Sequence, residues 1–442
     1  MNGGQTPKGQ YFLWQRDKKI NFQLPPSWQV LTNVVPQPET TDKTVYQMVS
    51  ESIAHPIGTL PLEKIVKPTD KVVIIVDDFA RPTPKKEMLT CLIDHLIRFG
   101  VTYHQIDILF GMGTHRPLSE HEVEVALGRE LFKKIRYTMH DSRSGKLVSI
   151  GRLRTGGEIK IHPLLVEASV RISLGSIIPH PMNGFGGGGK IILPGVCSYE
   201  TIREHHWTHA ISKGACIGNI IVNSFYEEIC EAARLANLDF IINAVYNSRA
   251  EVKAVVSGHF RKAHQFGIDL SLKEFSVHID QDADVSIVSA FPMEEGPQVT
   301  KPLGTATKVT RKGGMVILVA SVPAGMPESF LQTFDVAYQR AKGDPKRLAL
   351  ESLQGGKPII DNAPLDFNVA LAMALLYLSL VNVIMVSGEV SKDQAGRLGF
   401  KYADSLEEAI QLAYGSFPRA NVHLFSAGGL TVPLLKKEFC FV

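Results

Sequence analysis

The sequence lacks any apolar run long and clean enough to span a bilayer. Its longest, residues 369–386, contains Ser379 and Asn382 and divides into a buried helix followed by a strand. The opening MNGGQTPKGQ has no apolar signal core, which predicts a cytoplasmic protein. No basic block is present: the formal net charge of +3 is spread along the chain, so neither a nucleic acid nor a membrane surface is an expected partner. Cysteine is scarce. Cys91, Cys197, Cys216, Cys230 and Cys440 are odd in number and form no C-x-x-C pair, which excludes a disulfide framework and a cysteine zinc site and predicts reduced core thiols. Internal repeats and low-complexity linkers are also missing.

What is present is alternation. Short β-branched runs at 72–76, 106–110, 170–178, 239–245, 285–290, 315–320, 381–386 and 422–425 are separated by helix-period stretches at 84–99, 119–127, 199–215, 225–235, 328–341, 366–380 and 405–414. That pattern predicts an α/β fold with largely parallel sheets. A chain of 442 residues exceeds one ordinary core, so two α/β domains are expected, with an active-site cleft between them. The boundary is placed near 270–280: an N-terminal domain over 1–272, a C-terminal domain over 273–411, and residues 412–442 returning to pack on the first domain.

Several strands end in polar loops punctuated by Gly or Pro, where open α/β sheets place ligand contacts. In DDFARPTP, residues 77–84, Thr83 and Pro84 read as a cap and first-turn proline for the next helix, whose N-terminus and Thr83 hydroxyl suit a phosphate. Arg81 is free to fork onto a carboxylate, and Asp78 stands beside it; the alternative is that Asp77 and Asp78 only cap and pair with Arg81. In GMGTHRPLSEHE, residues 111–122, His115 arrives at the same sheet edge just before a capping box of Ser119 and Glu122.

The stretch PHPMNGFGGGGKIILPG, residues 179–195, carries His180 and then four glycines before Lys190. It fits the spacing of a phosphate-binding loop, but Ile191 stands where such a loop needs Ser or Thr, and 191–195 reads as a short extended segment rather than a helix. Four glycines lose much conformational freedom on ordering, so Gly188, Gly189 and their neighbours point to a functional role. In REHHWTHA, residues 203–210, His205 and His209 lie one helical turn apart and His206 points elsewhere; no H-E-x-x-H is present. Finally, SAFPMEEGPQVTKPL, residues 289–303, offers Gln298 and Lys301 as donors for a substrate carboxylate or hydroxyl.

Taken in order, D-D-x-x-R-P-T-P, G-x-G-T-H-R, P-H before G-F-G-G-G-G-K, H-H-W and Q-x-x-K resemble the lactate racemase family over most of the chain. The resemblance implies a racemase or epimerase of 2-hydroxy acids that uses a nickel-pincer nucleotide made by separate cofactor-biosynthesis enzymes. By motif position it implies that Lys190 carries this cofactor covalently and that His206 ligates nickel. Asp78, Thr83, Gly188 and Gly189 are then cofactor contacts. His115 and His180 are the implied acid/base pair, and Arg81, Gln298 and Lys301 hold substrate while hydride leaves C2 to give a 2-keto acid and returns. Relatives in that family act on lactate, malate, other 2-hydroxy acids and sugar acids. Gly296 and Pro297, with Glu294 and Glu295 before them, predict a roomier and more polar pocket suited to an aldonate. Two other classes stand beside this reading: a nucleotide-binding kinase or ligase built on the glycine loop, and a non-catalytic carrier of nickel or cofactor.

Overall fold

The computed structural model describes residues 10–435 apart from 17, 36, 37 and 80; Cys440 lies outside the described residues. Two six-stranded sheets organise the chain. The first runs, edge to edge, Val252–Gly258, Phe240–Tyr246, Val170–Ile177, Val72–Asp77, Ile106–Gly111, Arg136–Met139. All its pairings are parallel except that of the edge strand Val252–Gly258. Val72–Asp77 is buried along its whole length, which is why it reads as an unbroken apolar run rather than an alternating one.

The second sheet runs Lys401–Ala403, Asn382–Val386, Thr310–Val319, Ala283–Ser289, Ala420–Phe425, Trp28–Val34, all parallel. Its outer strand comes from the N-terminal part of the chain, whereas the sequence predicts no strand there. Trp28–Val34 is an edge strand, mostly half-buried and interrupted by Thr32 and Asn33, so it carries no continuous apolar signal.

The end of the chain also differs from expectation. Ala420–Phe425 stands in the second sheet, between Ala283–Ser289 and Trp28–Val34, because its apolar residues Val422 and Leu424 belong to that sheet's core. Only the segment beyond it turns back. Leu430 and Val432 join the hydrophobic cluster of the first sheet, and Val432–Leu435 pairs with Ser276–Ile279.

The residues 369–386 divide as expected into helix Leu365–Leu378 and strand Asn382–Val386, and among the described residues no helix is long and apolar enough to cross a membrane. Residues 191–195 are not extended. A 3-10 turn at Gly188–Ile191 continues into further turns that bury Ile192 and Leu193 completely. One apolar cluster runs from Ile75 and Leu193 through to Val299, Val369 and Tyr377, so the two halves share a core beside the site described next.

Candidate functional site

In the first sheet, Val72–Asp77 and Val170–Ile177 are neighbours whose onward connections leave in opposite directions. Such a switch point leaves a crevice at the carboxyl ends of the strands. Three loops empty into it, following Asp77, Gly111 and Ile177. They enclose a cavity of ≈ 210 Å³ closed from the other side by residues 297–301 and by helix Leu365–Leu378.

Asp78 and Arg81 line the cavity; Thr83 does not. The Thr83 hydroxyl donates to Asp77 Oδ2 at 2.5 Å and lies 2.6 Å from Ser176 Oγ, while Lys85 Nζ sits 3.0 Å from Asp77 Oδ1. Thr83 is thus spent inside a buried network. Helix Lys85–Arg98 starts after Pro84 with no side-chain cap, so the expected capping role of Thr83 is replaced by this contact with Asp77.

His115 follows Gly111 and bonds through Nδ1 to Asp78 Oδ2. An ionised carboxylate only accepts, so Nδ1 carries the proton and Nε2 keeps its lone pair. His180 is arranged the other way. Its Nδ1 accepts from the backbone N–H groups of Met182 at 3.3 Å and Asn183 at 3.1 Å, which leaves the proton on Nε2. Burial lowers its pKa well below the usual value, helped by the positive charges of Lys190, Lys301 and Arg81, so His180 is neutral.

The glycines have two jobs. Gly188 sits at φ +56° and donates its N–H to Asn243 Oδ1 at 2.8 Å; a Cβ there would stand 2.6 Å from His264 Cγ. Gly189 faces away from the cavity, where a Cβ would meet Ala233 at 3.0 Å. Glycine at these positions is therefore demanded partly by packing, which a sequence reading in terms of function alone overlooks. Their turn delivers Lys190 into the cavity, where burial foremost, and then the charge of Arg81, bring its pKa from 10.5 down to about 7. No helix opens after the turn, so the arrangement that grips a nucleotide phosphate is missing.

On helix Tyr199–His209 the three histidines separate cleanly. His205 is fully buried with Nε2 donating to Phe225 O at 3.0 Å, and His209 Nε2 donates to Glu228 Oε2 at 2.9 Å. Neither reaches the cavity. His206 does, and its Nδ1 donates to Ile202 O at 2.9 Å, so Nε2 holds a free lone pair. Burial, then Lys190, lowers its pKa to about 3, keeping that lone pair unprotonated. Among the described residues no group of three or more His, Cys, Asp or Glu could hold a metal, so a metal beside His206 would take its other ligands from a bound group.

From the second half come Gln298 and Lys301, and burial drives the Lys301 pKa well below 10.5, followed by Arg81 and Lys190. Glu294 turns away: its Oε1 accepts from Arg16 N at 3.1 Å, so it adds no polarity to the cavity. The sequence reading also missed Asp366, which lines the cavity from the first turn of helix Leu365–Leu378. An acidic residue at a helix start is so common a capping signal that nothing in the letters singles it out.

With this geometry in view, the profile of the lactate racemase N-terminal domain matches residues 16–218. A lactate racemase of Lactiplantibacillus plantarum is 31% identical over 374 residues, 83% of this chain and 86% of that protein. The chain belongs to the lactate racemase family. The lactate racemase of Thermoanaerobacterium thermosaccharolyticum is 29% identical over 83% of this chain and 85% of its own length. The apoprotein structure of a lactate racemase from the same organism superposes with a TM-score of 0.85 at 25% identity, covering 96% of this chain and all of that one. A Thermotoga maritima structure shares the fold at a TM-score of 0.63 and 19% identity.

Proposed function

We propose that this chain inverts C2 of a 2-hydroxy acid, with a polyhydroxy acid such as an aldonate as substrate, and that it works with a nickel-pincer nucleotide joined to Lys190. One observation carries the reading: two histidines that hold their protons on opposite ring nitrogens, the Arg81 guanidinium and the amines of Lys190 and Lys301 meet in one cavity, the Lys190 amine near neutral. The residues fit the cofactor. Lys190 is an amine that is largely unprotonated just above neutral pH, as attachment to an acyl carbon requires. His206 offers one open nitrogen, suited to a single bond to nickel in a square-planar site whose other ligands are not protein. When bound, that group would supply an acceptor that takes hydride from C2 and gives it back.

The remaining work falls to the chain. Arg81 and Lys301 hold the substrate carboxylate by paired charge. His115, backed by Asp78, receives the hydroxyl proton at Nε2, and Asp78 stabilises the imidazolium that results. His180 hydrogen-bonds the substrate oxygen from Nε2 on the other side. At the end of the cycle His115 gives its proton back to the substrate oxygen, while His180 keeps its Nε2 proton throughout because its Nδ1 is held by two backbone N–H groups. The apolar residues Leu365, Val369 and Met373 exclude water while the keto acid turns.

The test is to express the protein together with cofactor-making enzymes and to offer single enantiomers of lactate, glycerate and gluconate deuterated at C2. Chiral chromatography should show inversion, with the deuterium kept in the product and nickel near one per chain. Nickel-loaded protein that inverts none of them, or that washes the label into solvent, would end the reading.

A further inference from the structure

The cavity holds two acceptors that the catalytic scheme leaves without work. Asp366 Oδ1 and Gln298 Oε1 are both buried and have no hydrogen-bond partner among the described residues. Both residues line the cavity, and both come from the half of the chain that does not carry the histidines. Around Asp366 its own helix presents Leu365, Val369, Ala370 and Met373 to the same space, an apolar wall with one carboxyl set in it. Buried acceptors are nearly always matched by a donor, so this wall is built for a ligand that brings one.

The donors already in the cavity are placed elsewhere. His115 is turned to Asp78 through Nδ1, and His206 donates to Ile202 O. Arg81, Lys190 and Lys301 lie close enough to His180 to depress its pKa, on the side of the first sheet. Three chemistries can be compared at Asp366. A methyl group, as on lactate, leaves Oδ1 bare. A second carboxylate, as on a 2-hydroxy diacid, brings a further acid group to a buried carboxyl whose pKa burial already raises. A hydroxyl donates to Oδ1 and satisfies it.

We infer that Asp366 is the residue that reads the substrate tail, by accepting a hydrogen bond from a hydroxyl beyond C2, with Gln298 Oε1 as a second acceptor for the same chain of hydroxyls. The inference rests on the site being one that inverts 2-hydroxy acids. It goes further in naming which residue sets the preference and which functional group that residue recognises.

The experiment compares wild type, Asp366→Ala and Asp366→Asn as nickel-loaded holoproteins. It measures kcat/KM for lactate, glycerate and gluconate, and binding of the same acids by calorimetry. Wild type should favour glycerate or gluconate over lactate. Asp366→Ala should lower that ratio by about 10- to 100-fold, the worth of a buried hydrogen bond, and Asp366→Asn, which keeps a carbonyl acceptor, should lower it less. An Asp366→Ala protein of native circular dichroism whose ratio stays within about twofold of wild type overturns the assignment. If the alanine variant does not fold, Asp366→Leu, which removes the acceptor but fills its volume, decides on the same threshold. Calorimetry separates the two claims. Asp366-dependent binding of hydroxylated acids in a protein that inverts none of them overturns the racemase reading and sustains the tail reading, whereas inversion with no Asp366-dependent preference does the reverse.

Discussion

His115 and His180 face one cavity in opposite tautomers, the first with its proton on Nδ1 toward Asp78, the second with Nδ1 occupied by two backbone N–H groups. One is set to receive a proton and the other to donate a hydrogen bond, which is how a two-histidine site can address a carbon from both faces. Replacing either by Ala should lower interconversion by about 100- to 10,000-fold while cofactor loading, read by nickel content and intact mass, stays near wild type. Asp78→Asn should act on kcat more than on KM, because it removes the charge that steadies protonated His115. A variant of either histidine that turns over like wild type would refute the pairing.

Lys190 supplies a pH test on cofactor-free protein. Its pKa is lowered by burial from 10.5 to about 7, so the reactive amine is scarce below that pH and grows as pH rises through it. Acetylation of the peptide containing Lys190, followed by mass spectrometry, should show a midpoint near pH 7. Exposed lysines should keep gaining reactivity toward pH 10, and a Lys190 midpoint up there would contradict the burial argument.

The three histidines of helix Tyr199–His209 should divide by phenotype. His206→Ala should cost nickel and leave thermal unfolding unchanged. His205→Ala and His209→Ala should instead lower stability by about 1–3 kcal/mol, since each leaves a buried acceptor, Phe225 O or the Glu228 carboxylate, without its donor. The reverse pattern, with nickel lost from the His205 or His209 variants, would reassign the ligand.

Gly188→Ala should destabilise by about 1–3 kcal/mol and displace Lys190. It combines a left-handed φ with a Cβ only 2.6 Å from His264 Cγ. Urea unfolding gives the first effect, and the Lys190 acetylation midpoint reports the second. A variant as stable as wild type would mean that His264 yields freely.

Central strands and long helices were legible because burial on both faces writes itself into composition. Val72–Asp77 and helix Glu328–Ala341 stand where their letters put them. The family resemblance singled out Arg81, His115, His180, Lys190, His206, Gln298 and Lys301, and all seven line one cavity. Edge strands escaped: Trp28–Val34 is half exposed, and Val252–Gly258 alternates too weakly to announce itself. Asp366 and the burial of Thr83 escaped for a different reason. Each depends on which way a side chain turns once two distant segments pack, and local sequence does not encode that.

The pairing of Trp28–Val34 with Ala420–Phe425 joins the two ends of the chain in one sheet. As the chain leaves the ribosome, every strand of the first sheet is available once Gly258 has emerged, but five of the six strands of the other sheet are still unmade. The early edge strand must wait for a partner nearly the whole chain away, the kind of distant contact that forms slowly. The segments that bear His115, His180 and Lys190 are thus all made while residues 297–301 and helix Leu365–Leu378 have yet to arrive. For that interval the lysine stands at an open ledge rather than in a closed chamber, and the wall that bears Asp366 is the last part of the site to be hung.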